Sequence, residues 1–173
     1  MQGEKHVIAQ LNKVLTWELT SINQFFLHAR LFRHFGFNEL NEHAYKKSIK
    51  DMKQADALIE RILFLNGLPN LQNLEYLRIG ETPEEMLSCD LDIQLDQIAL
   101  LKESVKIAED AADYVSRDLL EDMLEYEEEY LDWLETQHDH CGPICAVEPL
   151  QHRPHGVGRN KGHITVKDQD IAV

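Results

Sequence analysis

Apolar residues recur at intervals of three and four along the first part of the chain, and this spacing places them on one face of an α-helix. Gly36 follows the series and suits the left-handed backbone position that often ends a helix. The pattern therefore predicts a long amphipathic first helix that ends near Gly36. The apolar stripe consists of Val7, Ile8, Leu11, Val14, Leu15, Leu19, Ile22, Phe26 and Leu27.

A second helix is predicted from about Leu40 to Leu65, because Asn66-Gly67 follows it and Pro69 lies just beyond. Residues 68–82 contain proline, asparagine and glycine, so we expect them to form a long connection. A connection of this length allows the second and third helices to run parallel.

The start of a third helix is marked by Thr82 as its N-cap, Pro83 at the first helical position and a capping-box glutamate three residues after the cap. This helix is predicted to run to about residue 112. The fourth is expected over residues 113–141, where Gly142-Pro143 ends it. Four helices of about 25 to 30 residues with one long connection predict an all-α, ferritin-like four-helix bundle with a single crossover.

The composition changes after residue 141. Residues 142–173 contain three prolines, several glycines and histidines, and balanced charges. Pro149 and Pro154 would interrupt a helix here. We therefore divide the chain into a bundle over 1–141 and a C-terminal extension over 142–173, which we expect to be mostly disordered.

The formal charge of −14 argues against a nucleic-acid partner, because phosphate contacts require clustered lysine and arginine. The chain begins with an amphipathic pattern instead of an apolar signal core, and no apolar run approaches the ~20 residues that span a bilayer. A cytoplasmic protein with neither a nucleic-acid nor a membrane partner is expected.

Several short motifs, in order and without gaps, resemble bacterioferritin, the haem-containing ferritin of bacteria. The resemblance covers about residues 1–137. It rests on Leu11-Asn12-Lys13, Ile22-Asn23-Gln24, Phe26–Arg30, Ile59–Leu65, Gly67–Gln72, Asp113–Asp118 and Asp132–Glu135.

The resemblance implies six positions for a di-iron centre, and four of them are altered in this chain. Ferritin-like bundles supply one glutamate from each of two helices and a Glu-x-x-His pair from each of the others. Two positions keep glutamate, Glu18 and Glu127. At the other four, Asp51 shortens a bridging carboxylate. Gln54 and Tyr130 replace the two histidines, and Gln94 replaces a carboxylate.

These changes imply that the chain alone is inactive or strongly impaired as a ferroxidase, since a neutral amide and a neutral phenol are poor ligands for ferrous iron. Phe25 also stands where the family has a tyrosine, and Lys46 and Lys50 match its iron-binding histidine and aspartate on the cavity wall. We expect the Tyr130 hydroxyl and the glutamine amides to donate hydrogen bonds to the remaining carboxylates. The alternative is one cation held by Glu18, Asp51 and Glu127.

The haem position is kept. Met52 matches the family's axial ligand, which binds haem b together with the same residue of a second subunit across a two-fold axis. The matching pocket positions are Leu19, Ile22, Asn23, Phe26, Tyr45, Ile49 and Lys53. Such a haem has no open coordination position, so the resemblance implies electron transfer from a small ferredoxin, with release of stored iron mineral. The docking positions are Leu68, Pro69 and Glu81.

Three hypotheses follow. The first is a haem-bearing iron-storage subunit that lacks its own iron oxidation and assembles with a catalytic sister subunit into a 24-subunit shell. The second is a homopolymeric bacterioferritin with residual or atypical ferroxidase activity. The third is a scaffold whose C-terminal apolar segments, Ile164–Val166 and Ile171–Val173, bind a partner.

Overall fold

The computed structural model describes residues 2–144, the last three of them without their side chains. It contains four α-helices: α1 over Lys5–His34, α2 over Asn38–Phe64, α3 over Pro83–Asp110 and α4 over Tyr114–Ile144. Residues 65–82 connect α2 to α3. The predicted all-α bundle with one long crossover is confirmed, and no helix of the described chain is long and apolar enough to cross a membrane.

Three helices end in a residue with left-handed backbone geometry, which closes the last turn. These residues are Gly36, Asn66 and Ala112, with φ of 88°, 59° and 53°. In each case the following amide donates to a carbonyl five residues earlier. The pairs are Phe37 to Phe32, Gly67 to Ile62 and Asp113 to Ala108, at 2.8–2.9 Å. The predicted end near Gly36 is therefore correct.

The start of α3 has the predicted cap. The Thr82 hydroxyl accepts the amide of Glu85 at 3.2 Å, and Pro83 occupies the first helical position. In the usual capping box this glutamate would accept from the amide of the N-cap residue, Thr82. Here the Glu85 carboxylate accepts instead from the amide of Glu81, one residue earlier, at 3.0 Å.

The end of α4 was predicted too early. The helix continues to Ile144, so Gly142 and Pro143 lie within its final turn. Proline disfavours a helix by removing one hydrogen bond and crowding the preceding turn, but α4 includes Pro143 and extends to Ile144, the last residue that the structure describes. The prediction of a disordered extension concerns residues that lie mostly outside the described part of the chain.

Two apolar clusters fill the bundle, and a polar layer separates them along every helix. On α1 the first cluster includes Val7 to Leu15 and the second includes Phe25 to Phe32; the buried Glu18 and Ser21 lie between. On the other three helices buried polar residues also lie between the two clusters. α4 follows the order of α1, whereas α2 and α3 follow the reverse order. α1 packs mainly on α2, and α3 on α4. This layer positions the candidate site.

Candidate functional site

Three carboxylates from three helices meet in the polar layer. Glu18 of α1, Asp51 of α2 and Glu127 of α4 are fully buried. One oxygen of each lies within 4.8 Å of the other two. Within residues 2–144 this is the only group of three or more histidine, cysteine or acidic side chains with metal-binding geometry. The three carboxylates singled out from the sequence are therefore brought together.

The ammonium group of Lys47 lies inside this cluster, a role that no motif in the sequence indicated. The side chain is fully buried, with Nζ 2.6 Å from Oδ1 of Asp51 and 2.8 Å from Oε2 of Glu127. Three aromatic rings surround the same nitrogen, with centroids at 5.2–5.7 Å: Phe25, Tyr126 and Tyr130. A tethered cation thus lies among the carboxylates that a metal ion would need.

The carboxylates keep Lys47 charged. Burial on its own would lower the pKa of this ammonium, but Asp51, Glu127 and Glu18 outweigh burial and raise the pKa above its usual value. A buried lysine without such partners commonly becomes neutral. Lys47 is therefore a fixed positive charge at neutral pH.

One ammonium does not neutralise three buried carboxylates, and the pKa values of Glu18 and Asp51 are raised. Burial raises the pKa of Glu18 well above its usual value, and the negative charges of Asp51 and Glu127 add to this. Burial also raises the pKa of Asp51 to about 7, although the Lys47 ammonium acts in the opposite direction. The cluster therefore favours retaining a proton on Glu18 or Asp51.

Neutral side chains supply further hydrogen bonds to the carboxylates. The Gln94 amide donates to Oε2 of Glu127 at 2.5 Å and to its main-chain carbonyl at 3.1 Å. The Gln97 amide donates to Oε1 of Glu18 at 2.6 Å, and the Ser21 hydroxyl donates to Oδ2 of Asp51 at 2.5 Å. The role of Gln94 was expected, whereas those of Gln97 and Ser21 were not.

The expected network is wrong for Gln54 and Tyr130. Both amide atoms of Gln54 are buried without a hydrogen-bond partner among the described residues, so this amide does not donate to the carboxylates. The hydrogen bonds found among the described residues include none from the Tyr130 hydroxyl to the carboxylates. Its ring packs edge-on against Phe25 and near Trp133, at 5.5 and 5.4 Å. Burial raises the pKa of Tyr130 well above its usual value, so the phenol stays neutral.

A sequence signal for Lys47 did exist. The buried positions of α2 alternate by three and four residues through Ala44, Lys47, Asp51, Gln54 and Leu58. A lysine on such a stripe, four residues before an acidic side chain, is the spacing of a helical ion pair. Most such pairs are exposed, and only its place on the apolar stripe marks this one as buried.

A second candidate site lies on the outer face of α1 and α2, around Met52. The Met52 side chain is 53% exposed, and Phe26 and Tyr45 beside it on the sequence-predicted pocket are 48% and 37% exposed. The guanidinium of Arg30 lies 5.2 and 4.7 Å from the centroids of these two rings. The other predicted pocket residues are half-buried or exposed: Leu19, Ile22, Asn23, Ile49 and Lys53. The Met52 side chain and two aromatic rings of the predicted pocket are therefore accessible in a single subunit.

The comparisons with known proteins agree with one another. A model of the ferritin-like domain matches residues 8–142. A bacterioferritin of Brucella melitensis is 44% identical over 139 residues, which are 80% of this chain and 86% of that protein. Bacterioferritin BfrA of Mycobacterium tuberculosis is 43% identical over 137 residues, or 79% and 86%. A bacterioferritin of Streptomyces coelicolor is 41% identical over 165 residues, or 91% and 99%.

The chain belongs to the bacterioferritins. Iron storage is the function that this membership supports. The bacterioferritin of Streptomyces coelicolor matches 91% of the chain, so its similarity extends past the bundle that the motifs cover.

The remaining positions singled out by the bacterioferritin resemblance lie at the surface of the bundle. Lys46 and Lys50 are exposed, and Lys46 pairs with Glu42 at 2.6 Å. On the crossover, Leu68 is 85% exposed; Pro69 is half-buried and Glu81 exposed. These three side chains are accessible in a single subunit.

Proposed function

We propose that this bacterioferritin subunit binds haem but does not oxidise iron, and that it depends on a catalytic sister subunit in a shared 24-subunit cytoplasmic shell. The observation that carries the proposal is the Lys47 ammonium, 2.6 and 2.8 Å from Asp51 and Glu127. A cation held there by a covalent tether competes directly with a metal ion for the same oxygens. The altered Gln54, Gln94 and Tyr130 add no anionic or imidazole ligand.

Electrostatics also opposes iron binding. A ferrous ion brought between these carboxylates would lie within a few ångströms of a fixed ammonium, and like charges repel strongly in a buried site. A dinuclear centre needs two such ions and therefore faces this repulsion twice. Iron oxidation in a shell that contains this subunit thus falls to a partner with complete ligands.

The face around Met52 fits a haem shared between two subunits. The Met52 side chain is exposed, and so are Phe26 and Tyr45, which the resemblance assigns to the same pocket as Leu19, Ile22 and Ile49. Two copies related by a two-fold axis would present two identical sulfur ligands to one iron. Bound haem would supply one-electron transfer, with no open coordination position for a substrate. In this proposal the exposed Leu68, together with Pro69 and Glu81, receives the small ferredoxin that provides electrons for iron release.

A stopped-flow measurement tests the oxidation half of the proposal. Two equivalents of Fe(II) per subunit are mixed with the purified single-chain shell in aerated buffer, and Fe(III) absorbance is followed. We expect oxidation no faster than in buffer. A rapid saturable phase that Glu127→Ala abolishes would instead support the alternative of a homopolymeric ferritin with an atypical ferroxidase site, which the convergence of three carboxylates within 4.8 Å favours.

The sister subunit is tested separately. The native assembly is purified from its own host, and its subunits are weighed by mass spectrometry. A second chain that carries both Glu-x-x-His pairs is the expected result. Homogeneous shells of this chain alone would contradict dependence on a sister. The third hypothesis, a partner-binding scaffold, concerns segments that lie outside the described residues.

A further inference from the structure

Three side chains of α1 hold the crossover, residues 65–82, by its main chain. They lie four residues apart, which places them on one face of the helix, and each accepts one main-chain N–H of the crossover. The pairs are Thr20 with Glu75 at 2.8 Å, Gln24 with Arg78 at 3.0 Å and His28 with Gly80 at 3.3 Å. Of the three acceptors only His28 belongs to a residue type that gains a proton near neutral pH.

The hydrogen bonds of His28 require a neutral imidazole. Nε2 accepts from the Gly80 amide, so this nitrogen carries no proton. The ring proton therefore lies on Nδ1, which donates to Oδ1 of Asp90 at 2.7 Å. Both side chains are buried, and the Gln24 amide donates to the same Asp90 oxygen at 2.9 Å. One imidazole thus connects α1, α3 and the crossover.

The Gly80 amide depends on this contact because it is buried. A Cβ atom at Gly80 would lie 2.3 Å from the main-chain nitrogen of Met86, so the crossover packs directly against the start of α3 here. A buried N–H that loses its acceptor costs free energy. The position of the main chain at Gly80 is therefore favourable only while His28 accepts its hydrogen bond.

A proton on Nε2 would remove that acceptor. Both ring nitrogens of an imidazolium are donors, so the Nε2–H of His28 would then face the Gly80 N–H. The Asp90 carboxylate favours the charged ring, because an opposite charge in contact stabilises an imidazolium. Protonation therefore strengthens the contact with α3 and breaks the contact with the crossover.

Few charged groups besides Asp90 act on this imidazole. Among residues 2–144 the ion pairs of His28 involve Asp90 alone. Cys89 and Tyr130 interact electrostatically with Asp90, but burial raises the pKa of each, so both stay neutral. Arg78 of the crossover pairs with Asp96. The other neighbouring residues are apolar or exposed: Leu40 and Ala44 of α2, Glu81 of the crossover and Glu85 of α3.

We propose that His28 makes the attachment of the crossover pH-sensitive: the neutral ring holds the main chain at Gly80, and the protonated ring releases it. Histidine changes charge between about pH 5 and 8, so mild acid should loosen this end of the crossover while Thr20 still holds Glu75. The loosened end includes Glu81, so acid should also weaken ferredoxin docking. That consequence rests on the proposed function, whereas the release itself does not.

Hydrogen exchange of the full-length shell, resolved to single amides, tests the proposal without haem or ferredoxin. Protection of the Gly80 amide is compared with that of the Glu75 amide between about pH 8 and about pH 5.5. The ratio should fall about tenfold as the pH falls, which is the size expected when a buried hydrogen bond is left unmade. In His28→Gln, whose side chain does not titrate, the ratio should stay constant.

Asp90→Asn gives a second readout, which does not require replacing His28. It removes the charge that stabilises the imidazolium, so the fall in Gly80 protection should move to lower pH by about one unit or more. Asp92→Asn is the matched control, because Asp92 is exposed two residues away on α3; its transition should match that of the parent. Circular dichroism and shell size check each variant. A constant ratio in the parent, the same fall in His28→Gln, or an unmoved transition in Asp90→Asn would overturn the proposal.

Discussion

Lys47 and Asp51 lie one helical turn apart on α2 and point together into the bundle, with 2.6 Å between Nζ and Oδ1 and no exposure of either side chain. Buried charges are stable only when paired and hydrogen-bonded. Here Glu127 is the second anion, and Ser21 completes the contacts of Asp51. The chain thus supplies from its own sequence part of the positive charge that its buried carboxylates require.

Replacing Lys47 should expose how much the cluster depends on this ammonium. Lys47→Met keeps most of the aliphatic length but leaves buried carboxylates without their cation. Breaking a buried pair in this way costs about 3–5 kcal/mol, and we expect a loss of that order at neutral pH. Thermal and denaturant unfolding of parent and variant measure it, and added Zn(II) should recover part of the loss in the variant alone.

Lys46→Met is the matched control, one residue away. Lys46 and its partner Glu42 are both exposed, so water screens their interaction and little change is expected. If Lys46→Met and Lys47→Met shift the unfolding transition equally, the buried ion pair is not the source of the effect.

The pH dependence of stability should change when Asp51 is made neutral. Burial raises the pKa of Asp51 to about 7. A carboxyl with a raised pKa in the folded state stabilises the fold while protonated, so this contribution is present below about pH 4 and is lost as the pH rises towards 7. Asp51→Asn avoids that loss. Its stability relative to the parent should therefore increase over this interval, by a few kcal/mol at most, because one pKa unit corresponds to about 1.4 kcal/mol.

Melting temperatures of parent and Asp51→Asn at several pH values between 4 and 7 give this comparison. Asp96→Asn is the control, because Asp96 is an exposed partner of Arg78. A difference between parent and Asp51→Asn that stays constant over the interval would contradict the raised pKa.

The helices were predictable from the sequence because each carries its own local signals. Apolar spacing marks the buried faces, and Gly36, Thr82 and Pro83 mark helix ends through backbone geometry that depends on few neighbours. The end of α4 was predicted too early because Gly142 and Pro143, which commonly mark a helix end, lie within the helix. Local signals therefore fixed the bundle but not its last turn.

The site was only partly predictable, for a different physical reason. Glu18, Asp51 and Glu127 were found through the family resemblance, which supplies positions but not new contacts. Lys47 and Gln97 interact with these carboxylates across the bundle or from an adjacent turn, and the family's ligand pattern contains neither. Their charge and hydrogen bonds become decisive only when four helices bury them in one layer.

Haem binding should depend on Met52 and not on methionine in general. The parent shell, purified with added haem, should carry one haem per two subunits with a spectrum typical of two thioether ligands. Met52→Leu preserves the apolar surface but removes sulfur, so most haem should be lost while the shell still assembles. Absorption spectra and haem content per subunit measure this.

Met123→Leu is the matched control, because Met123 is a buried core residue. It should retain the haem of the parent. If Met52→Leu keeps the same spectrum and haem content as Met123→Leu, the exposed thioether is not an iron ligand.

Restoring a metal centre should require removal of Lys47 as well as repair of the ligands. Asp51→Glu, Gln54→His, Gln94→Glu and Tyr130→His together rebuild the family's ligand set around Glu18 and Glu127. With Lys47 still present, its ammonium competes for the carboxylate oxygens, so this fourfold variant should bind Co(II) weakly. Adding Lys47→Met removes the competitor, and the fivefold variant should bind two Co(II) per subunit.

Melting curves with and without Co(II) or Zn(II) distinguish the two variants. The fivefold variant should be unstable without metal, because four carboxylates then face one another unneutralised, and its melting temperature should rise steeply with metal. Iron oxidation should return only in part, since missing supporting hydrogen bonds commonly cost 10- to 100-fold in affinity or activity. An equal rise in the fourfold variant would show that Lys47 does not block the site. No metal-dependent rise in the fivefold variant would mean that the six positions do not form a metal centre. It would then be wrong to interpret the polar layer as an altered di-iron site.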